Sequence, residues 1–236
     1  MKPSVLIIVH HYLPGTKSGG PVRTISNLVE QLGDDFDFRI LTTDRDHRDS
    51  APYPGIQPGV WYPVGKAHVR YLSRSEQKLW NLRRILAGTP YDLLYLNGTY
   101  NTTTIATLLL RRLGLIGGKP MLLAPRGHLE TGALSLKPRK KRIFLTAAKV
   151  VGLFSKLSWH AASANERDDV LREFGQGELP RIHVVQNLVA ASPTDAVAAP
   201  APKQAGALLV VFLSRISRKK NLDFALKALA PLQGEV

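Results

Sequence analysis

Val5-Leu6-Ile7-Ile8-Val9, the turn His10 to Gly20, and Pro21 running to Gly33 form the stretch on which the fold turns. Five consecutive apolar residues predict a strand covered on both faces, as in a parallel sheet. Pro21 suits a first helical position, where its missing N–H costs nothing. Val22, Ile25, Leu28, Val29 and Leu32 follow at helical spacing, and Gly33 stops the helix. Strand, glycine-bearing turn and amphipathic helix make one βα unit.

The alternation continues along the chain. Strands are predicted over 38–42, 69–72, 92–96, 121–124, 159–162 and 182–185, and helices over 75–87, 102–113, 139–154 and 165–174. Residues 44–60 read as loop. The class is therefore α/β, a Rossmann-like parallel sheet with helices on both faces. Right-handed crossovers gather the C-terminal ends of the strands on one edge, where ligands bind.

Residues 1–189 are expected to form the first domain. Ala, Pro, Ser and Thr dominate 190–206, which marks a linker. Ala207 to Leu213 reads as a buried strand, 214–221 as a turn and Leu222 to Leu232 as a helix. One strand and one helix cannot bury a core. Residues 207–236 are thus expected to open a second domain.

Hydrophobic content of 44% and charged content of 21% are those of a globular protein. The absence of Cys excludes disulfides, thiolate metal sites and a Cys nucleophile. The first apolar run is too short for a signal segment or a membrane span. A cytoplasmic location is expected, peripheral to the inner face of the membrane. The net charge of +14 favours anionic partners.

Gly19-Gly20 at the first helix start lets a ligand approach the backbone, and the helix N-terminus offers N–H groups to phosphate. Neither a Walker loop nor the Gly-x-Gly-x-x-Gly fingerprint is present. Arg215 and Lys220, five apart in the later turn, can hold a diphosphate between a fork and a point charge. Arg126-Gly127-His128-Leu129-Glu130 follows an apolar strand and concentrates a guanidinium, an imidazole and a carboxylate at its end. Ser163 and Glu166 have capping-box spacing, which a ligand contact from Ser163 can accompany.

Lys137-Pro138-Arg139-Lys140-Lys141-Arg142 runs into Ile143-Phe144-Leu145, a pattern that suits a solvated helix face, an acidic acceptor or anionic lipid. No aromatics interleave these cations, so nucleic acid is not an expected partner. Asp44-Arg45-Asp46 is too slight to indicate a metal site. His10 and His11 are adjacent on an extended segment and are expected to point to opposite faces.

The order and separation of these pieces resemble glycosyltransferase family 4, retaining enzymes of GT-B fold. The resemblance runs from Gly19-Gly20 through Arg126 to Glu130, His160 to Glu166 and Val184-Val185-Gln186-Asn187, to Phe212 to Leu222. It implies the N-terminal domain plus the first strand and helix of the C-terminal domain. It further implies a hexosyltransferase that uses a nucleotide-sugar donor, a glycan or lipid-linked acceptor, and no cofactor or metal. Gly19 and Gly20 would approach the donor phosphates, with Arg215 and Lys220 gripping them. The place beside the transferred sugar would fall to His128 or to Arg126. Glu130, Ser163 and Asn187 would face the acceptor or sugar. Asn187 matches the Asn of the family's Pro-Asn-Gly turn, from which Gln186 and Leu188 depart.

The family's paired glutamates, seven residues apart, belong deep in the C-terminal domain, beyond Val236. The parent protein is therefore expected to be the active enzyme, and this chain alone inactive. Three other readings stand beside it: a non-catalytic module binding glycan or anionic membrane, a nucleic-acid binder, and a different α/β enzyme complete within these residues.

Overall fold

In a computed structural model, residues 2–136, 138–175, 180–190, 210–214, 216 and 220–232 are described. The chain divides into two units, Met1–Ala191 and Ser192–Val236.

The first apolar run forms β1 (Ser4–Val9), at the centre of the sheet, with only Ser4 less than buried. Helix α1 (Gly20–Leu32) follows and buries Val22, Ile25 and Val29. β2 (Asp37–Thr43), β3 (Trp61–Val64), β4 (Ala67–Leu72), α2 (Leu79–Gly88), β5 (Leu93–Asn97), α3 (Thr102–Arg112) and β6 (Met121–Ala124) come next. The short α4 (Thr131–Leu134), α5 (Pro138–Val150), β7 (Ser158–Ala161), α6 (Ala164–Phe174) and β8 (Arg181–Val184) complete the unit.

The sheet has the order β3-β4-β2-β1-β5-β6-β7-β8. Every pairing is parallel except β3 with β4. The expected parallel sheet thus gains one antiparallel edge strand, β3, which is not among the strands expected from the sequence. Gly65-Lys66 joins the two strands, with Gly65 at φ +58°, and Val64 pairs Ala67. A glycine at the first position of a two-residue loop matches the twist of a hairpin. Pro63 is tolerated there because β3 lies at the edge.

Alternating side chains divide the interior. Leu6, Ile8, Leu94, Leu96 and Leu123 face one layer with Leu82, Ile85, Leu108, Leu145 and Val170 from α2, α3, α5 and α6. Val5, Ile7, Val9 and Ile40 face the other with Ile25 and Val29 of α1. Trp159, 1% exposed, stacks on both Phe154 and Phe174, with ring centroids 5.7 and 4.9 Å away, and the two Phe rings touch each other at 4.9 Å. Burying side chains of this size contributes about 2–3 kcal/mol each relative to exposure, and the aromatic geometry adds to it.

Two helix boundaries lie several residues from expectation, and one helix is added. The helix expected from Ser75 begins at Leu79, because Glu76 turns back to accept from Ser73 N at 3.0 Å and from Arg70 Nη2 at 2.8 Å. The helix expected to reach Phe154 ends at Val150. Leu153 N instead reaches Ala148 O at 2.8 Å, and Gly152 takes φ +64°. Residues 131–134, where no helix is expected from the sequence, form α4.

In the second unit, α7 (Leu222–Leu229) is followed by a 3-10 turn over Ala230–Leu232 rather than by continued α-helix. Residues 210–213 carry no strand, contrary to expectation, and 207–209 lie outside the described residues. Their apolar run is exposed. A strand exists only through a paired neighbour, and none is present among the described residues of this unit. The expected linker lies outside the described residues, apart from Ala190.

Candidate functional site

Strand order reverses at β1 and β5, which opens a crevice beyond their C-terminal ends. Tyr95 and Asn97 on β5, Arg126 after β6, His160 on β7 and Asn187 after β8 meet along this edge. Arg126 takes φ +57°, a left-handed conformation that turns its side chain back over β5. Its Nε and Nη2 donate to Asn97 Oδ1 at 2.9 and 2.7 Å, Nη2 also to the Tyr95 hydroxyl at 2.7 Å, and Nη1 to Asn187 Oδ1. A fork held at three points is an oriented cation.

The network continues through Tyr95. Its hydroxyl lies 2.5 Å from His160 Nδ1, and His160 Nε2 lies 2.8 Å from the Val185 carbonyl. A carbonyl only accepts, so Nε2 carries the proton and Nδ1 accepts from Tyr95. Burial pushes the Tyr95 hydroxyl up to about 12, which keeps its proton in place. Burial also lowers the His160 pKa below its ordinary value, against the raising effect of the Val185 bond. The neutral ring that the network needs is thus the favoured one.

His128 is held by its surroundings. Its Nδ1 accepts from Thr99 N at 3.0 Å, which assigns the proton of the neutral ring to Nε2. The ring stacks on Tyr100 with centroids 5.7 Å apart. Gly98, at φ +91°, makes the close approach of β5 and the β6 loop feasible, since a Cβ there would lie 3.0 Å from His128 Cε1 and 2.6 Å from Asn101 Nδ2.

Glu166 fastens the loops beneath these groups. Its Oε1 accepts from Gly127 N and its Oε2 from Ala162 N, both at 2.7 Å. Ser163 Oγ accepts from Glu166 N at 3.2 Å, so Ser163 is the N-cap of α6. The cap uses a lone pair and does not consume the hydroxyl proton. Arg172 Nη2 donates to the Leu129 carbonyl at 2.6 Å and braces the same loop from α6. Glu130 stands half-buried at the start of α4, its carbonyl accepting from Leu134 N at 2.8 Å.

The segment after β8 passes back toward α1. Asn27 Nδ2 donates to Leu188 O at 2.9 Å and Gln31 Nε2 to Val189 O at 2.5 Å. At the head of α1, Gly19 takes φ +66°, and neither Gly19 nor Gly20 has an atom within 4 Å of where a Cβ would stand. Lys220 is exposed in the second unit, and Arg215 lies outside the described residues. The structure therefore brings Arg126, Asn187, His128 and Ser163 to one edge, together with Tyr95, Asn97, His160 and Glu166, which the sequence reading did not single out as site residues.

His10 and His11 depart from expectation. Their rings are in edge contact, with centroids 4.3 Å apart, because β1 ends at Val9 and the chain bends at His10. His47 lies 5.6 Å from His11, beside a cavity of about 230 Å³. Burial, then the neighbouring His11 and His47, pushes His10 down to about 4. Asp46 does not face this cluster as a free ligand, for it accepts from the Thr16, Lys17 and His47 backbone N–H groups at 2.7–3.1 Å. Among the described residues no group of three or more His, Asp or Glu side chains could hold a metal ion.

No curated protein matches the chain. Among solved structures it is similar to an alpha,alpha-trehalose-phosphate synthase (UDP-forming) from Burkholderia vietnamiensis, at 12% identity and a TM-score of 0.39, over 80% of this chain and 48% of that one. The chain thus spans about half the length of that relative. A glycosyl transferase 4-like domain model matches residues 19–188, from the head of α1 to the segment after β8. The chain belongs to the glycosyl transferase 4-like domain family.

Proposed function

We propose that this chain is the acceptor-side part of a retaining hexosyltransferase, which moves a sugar from a nucleotide donor to a glycan or lipid-linked acceptor in the cytoplasm. The carrying observation is the polar cluster around Arg126 at the C-terminal sheet edge, inside the span that matches the family. Asn97, Tyr95 and Asn187 position its guanidinium before any ligand arrives, as electrostatic catalysis requires.

In this reading, His128 presents Nε2–H to the transferred sugar, and Arg126 steadies negative charge beside it. Glu130, Ser163 and Asn187 meet acceptor or sugar hydroxyls. Gly19 and Gly20 admit the donor phosphates to the head of α1, and Arg215 and Lys220 grip them from the second domain. That domain begins after a linker over 190–206. A leaving diphosphate needs its growing charge neutralised. In this chain Arg215, Lys220 and the N–H groups at the head of α1 would supply part of that, and turnover would draw on further residues of the donor lobe.

A panel of radiolabelled nucleotide sugars, offered with lipid-linked and soluble glycan acceptors, tests this. The parent protein should label an acceptor with at least one donor, and the 236-residue chain with none. Robust turnover by the chain alone, or none by the parent with any donor, contradicts the proposal.

A further inference from the structure

We propose that α5 docks this protein on the surface of an anionic phospholipid bilayer. Helix α5 turns Leu145 and Ala148 to the core. On its opposite side, Ile143 and Val150 are 70% and 82% exposed, and seven residues apart they lie on one line. Exposed Ala147 lies between them, and Leu136, 68% exposed, stands two residues before the start of the helix. Single exposed aliphatics are ordinary, but a row along one helix face is not.

The charges on this helix are of one sign. Pro138–Val150 contains no Asp or Glu. Lys141 and Lys149 have partners within the protein: Lys141 Nζ donates to Ala133 O at 2.5 Å and lies 5.2 Å from the Tyr100 ring centroid, and Lys149 approaches Glu173 at 3.7 Å. Arg139, Lys140 and Arg142 are exposed and form no ion pair among the described residues. Arg139, Lys140 and Arg142 thus border the aliphatic row.

A face meant only for water has no use for the aliphatic row. A polyanion would use the cations and leave the row exposed. The headgroup region of an anionic bilayer takes both, with cations among the phosphates and aliphatics at the acyl boundary. Among the described residues no helix is long and apolar enough to cross a membrane, so the contact is peripheral. Three short aliphatics make a weak anchor, so binding is reversible and salt-sensitive. This inference deepens the proposed function, and rests on it only for the lipid-linked acceptor such docking would serve.

Co-sedimentation with vesicles of pure phosphatidylcholine, and of phosphatidylcholine with 30 mol% phosphatidylglycerol, tests it on the full chain. Binding should appear only with phosphatidylglycerol and fall in 0.5 M salt. Each cation near such a surface is worth roughly five-fold in affinity, so Arg139→Glu/Lys140→Glu/Arg142→Glu should lose on the order of a hundred-fold or more. Ile143→Ser/Val150→Ser should lose on the order of ten-fold at unchanged net charge. Lys2→Glu/Arg23→Glu/Lys66→Glu, around α1, makes the same charge change and should lose much less. Circular dichroism checks that each variant is folded, which these exposed positions favour. No binding, equal binding to both vesicles, or equal loss in the two charge variants overturns the inference. So does light scattering that shows a dimer abolished by Ile143→Ser/Val150→Ser, which would assign the row to a second copy. Transfer to a soluble acceptor is scored separately, so failure to dock and failure to transfer remain distinct.

Discussion

Glu166 and Gly127, 39 residues apart in sequence, are joined by a 2.7 Å bond from backbone N–H to carboxylate. The second oxygen of Glu166 receives Ala162 N at the same distance. One buried side chain therefore sets the spacing of the loops after β6 and β7.

Glu166→Gln is the sharpest probe of that tie. The amide keeps one acceptor oxygen but turns an NH2 toward the other backbone N–H. Losing a charge-assisted bond at a buried donor costs about 1.5–3 kcal/mol. Urea unfolding should show a lower midpoint by that amount at unchanged slope, whereas Asp168→Asn on the same helix should move it little. Equal, small effects of both would contradict the role given to Glu166.

Acid should loosen the fold through its half-buried histidines. Both His10 and His160 have folded pKa values below the ordinary 6.5, His10 at about 4. A group depressed on folding binds its proton more readily when unfolded. Its contribution is therefore complete above pH 6.5 and declines as pH falls toward the folded value. His10 Nδ1 is buried without a hydrogen-bond partner among the described residues, so His10→Phe should cost little at pH 7.5. It should also flatten the decline of unfolding free energy between pH 6.5 and about 4. An acid limb of unchanged slope would contradict this account.

Gly98→Ala and Gly65→Ala separate backbone strain from collision. Gly98 has φ +91° and Gly65 φ +58°, yet a Cβ at Gly65 meets nothing within 4 Å. Gly65→Ala should cost about 1 kcal/mol from the left-handed backbone alone. Gly98→Ala must in addition push His128 and Asn101 aside, so its cost should exceed that of Gly65→Ala by about 1–3 kcal/mol. The His128 ring resonances should shift only in Gly98→Ala.

The fold was legible wherever period and length agreed. The run Val5–Val9 and the helical spacing of Val22, Ile25 and Val29 gave β1 and α1 to within a residue or so. The edge strand Trp61–Val64 was not, being short, half-buried and interrupted by Pro63. Its one signal was Gly65-Lys66 between β-prone residues. At the site, Arg126, His128 and Asn187 were visible because polar residues follow apolar strands. Tyr95, Asn97 and His160 lie within strands, where alternation makes a polar residue look like part of a face, and only the strand order makes them neighbours. Glu166 read as a helix cap, and capping does not reveal that its carboxylate also reaches Gly127.

The anomeric configuration of the product, read by proton NMR during transfer by the parent protein, tests the central claim most directly. The account predicts a glycosidic linkage of the same anomeric configuration as in the donor. It also predicts that Arg126→Met, which loses the fork to Asn97, Tyr95 and Asn187, slows kcat/KM on the order of a hundred-fold, about 2.7 kcal/mol of transition-state stabilisation. An inverted product, or an Arg126→Met protein as active as the unaltered one, would contradict it.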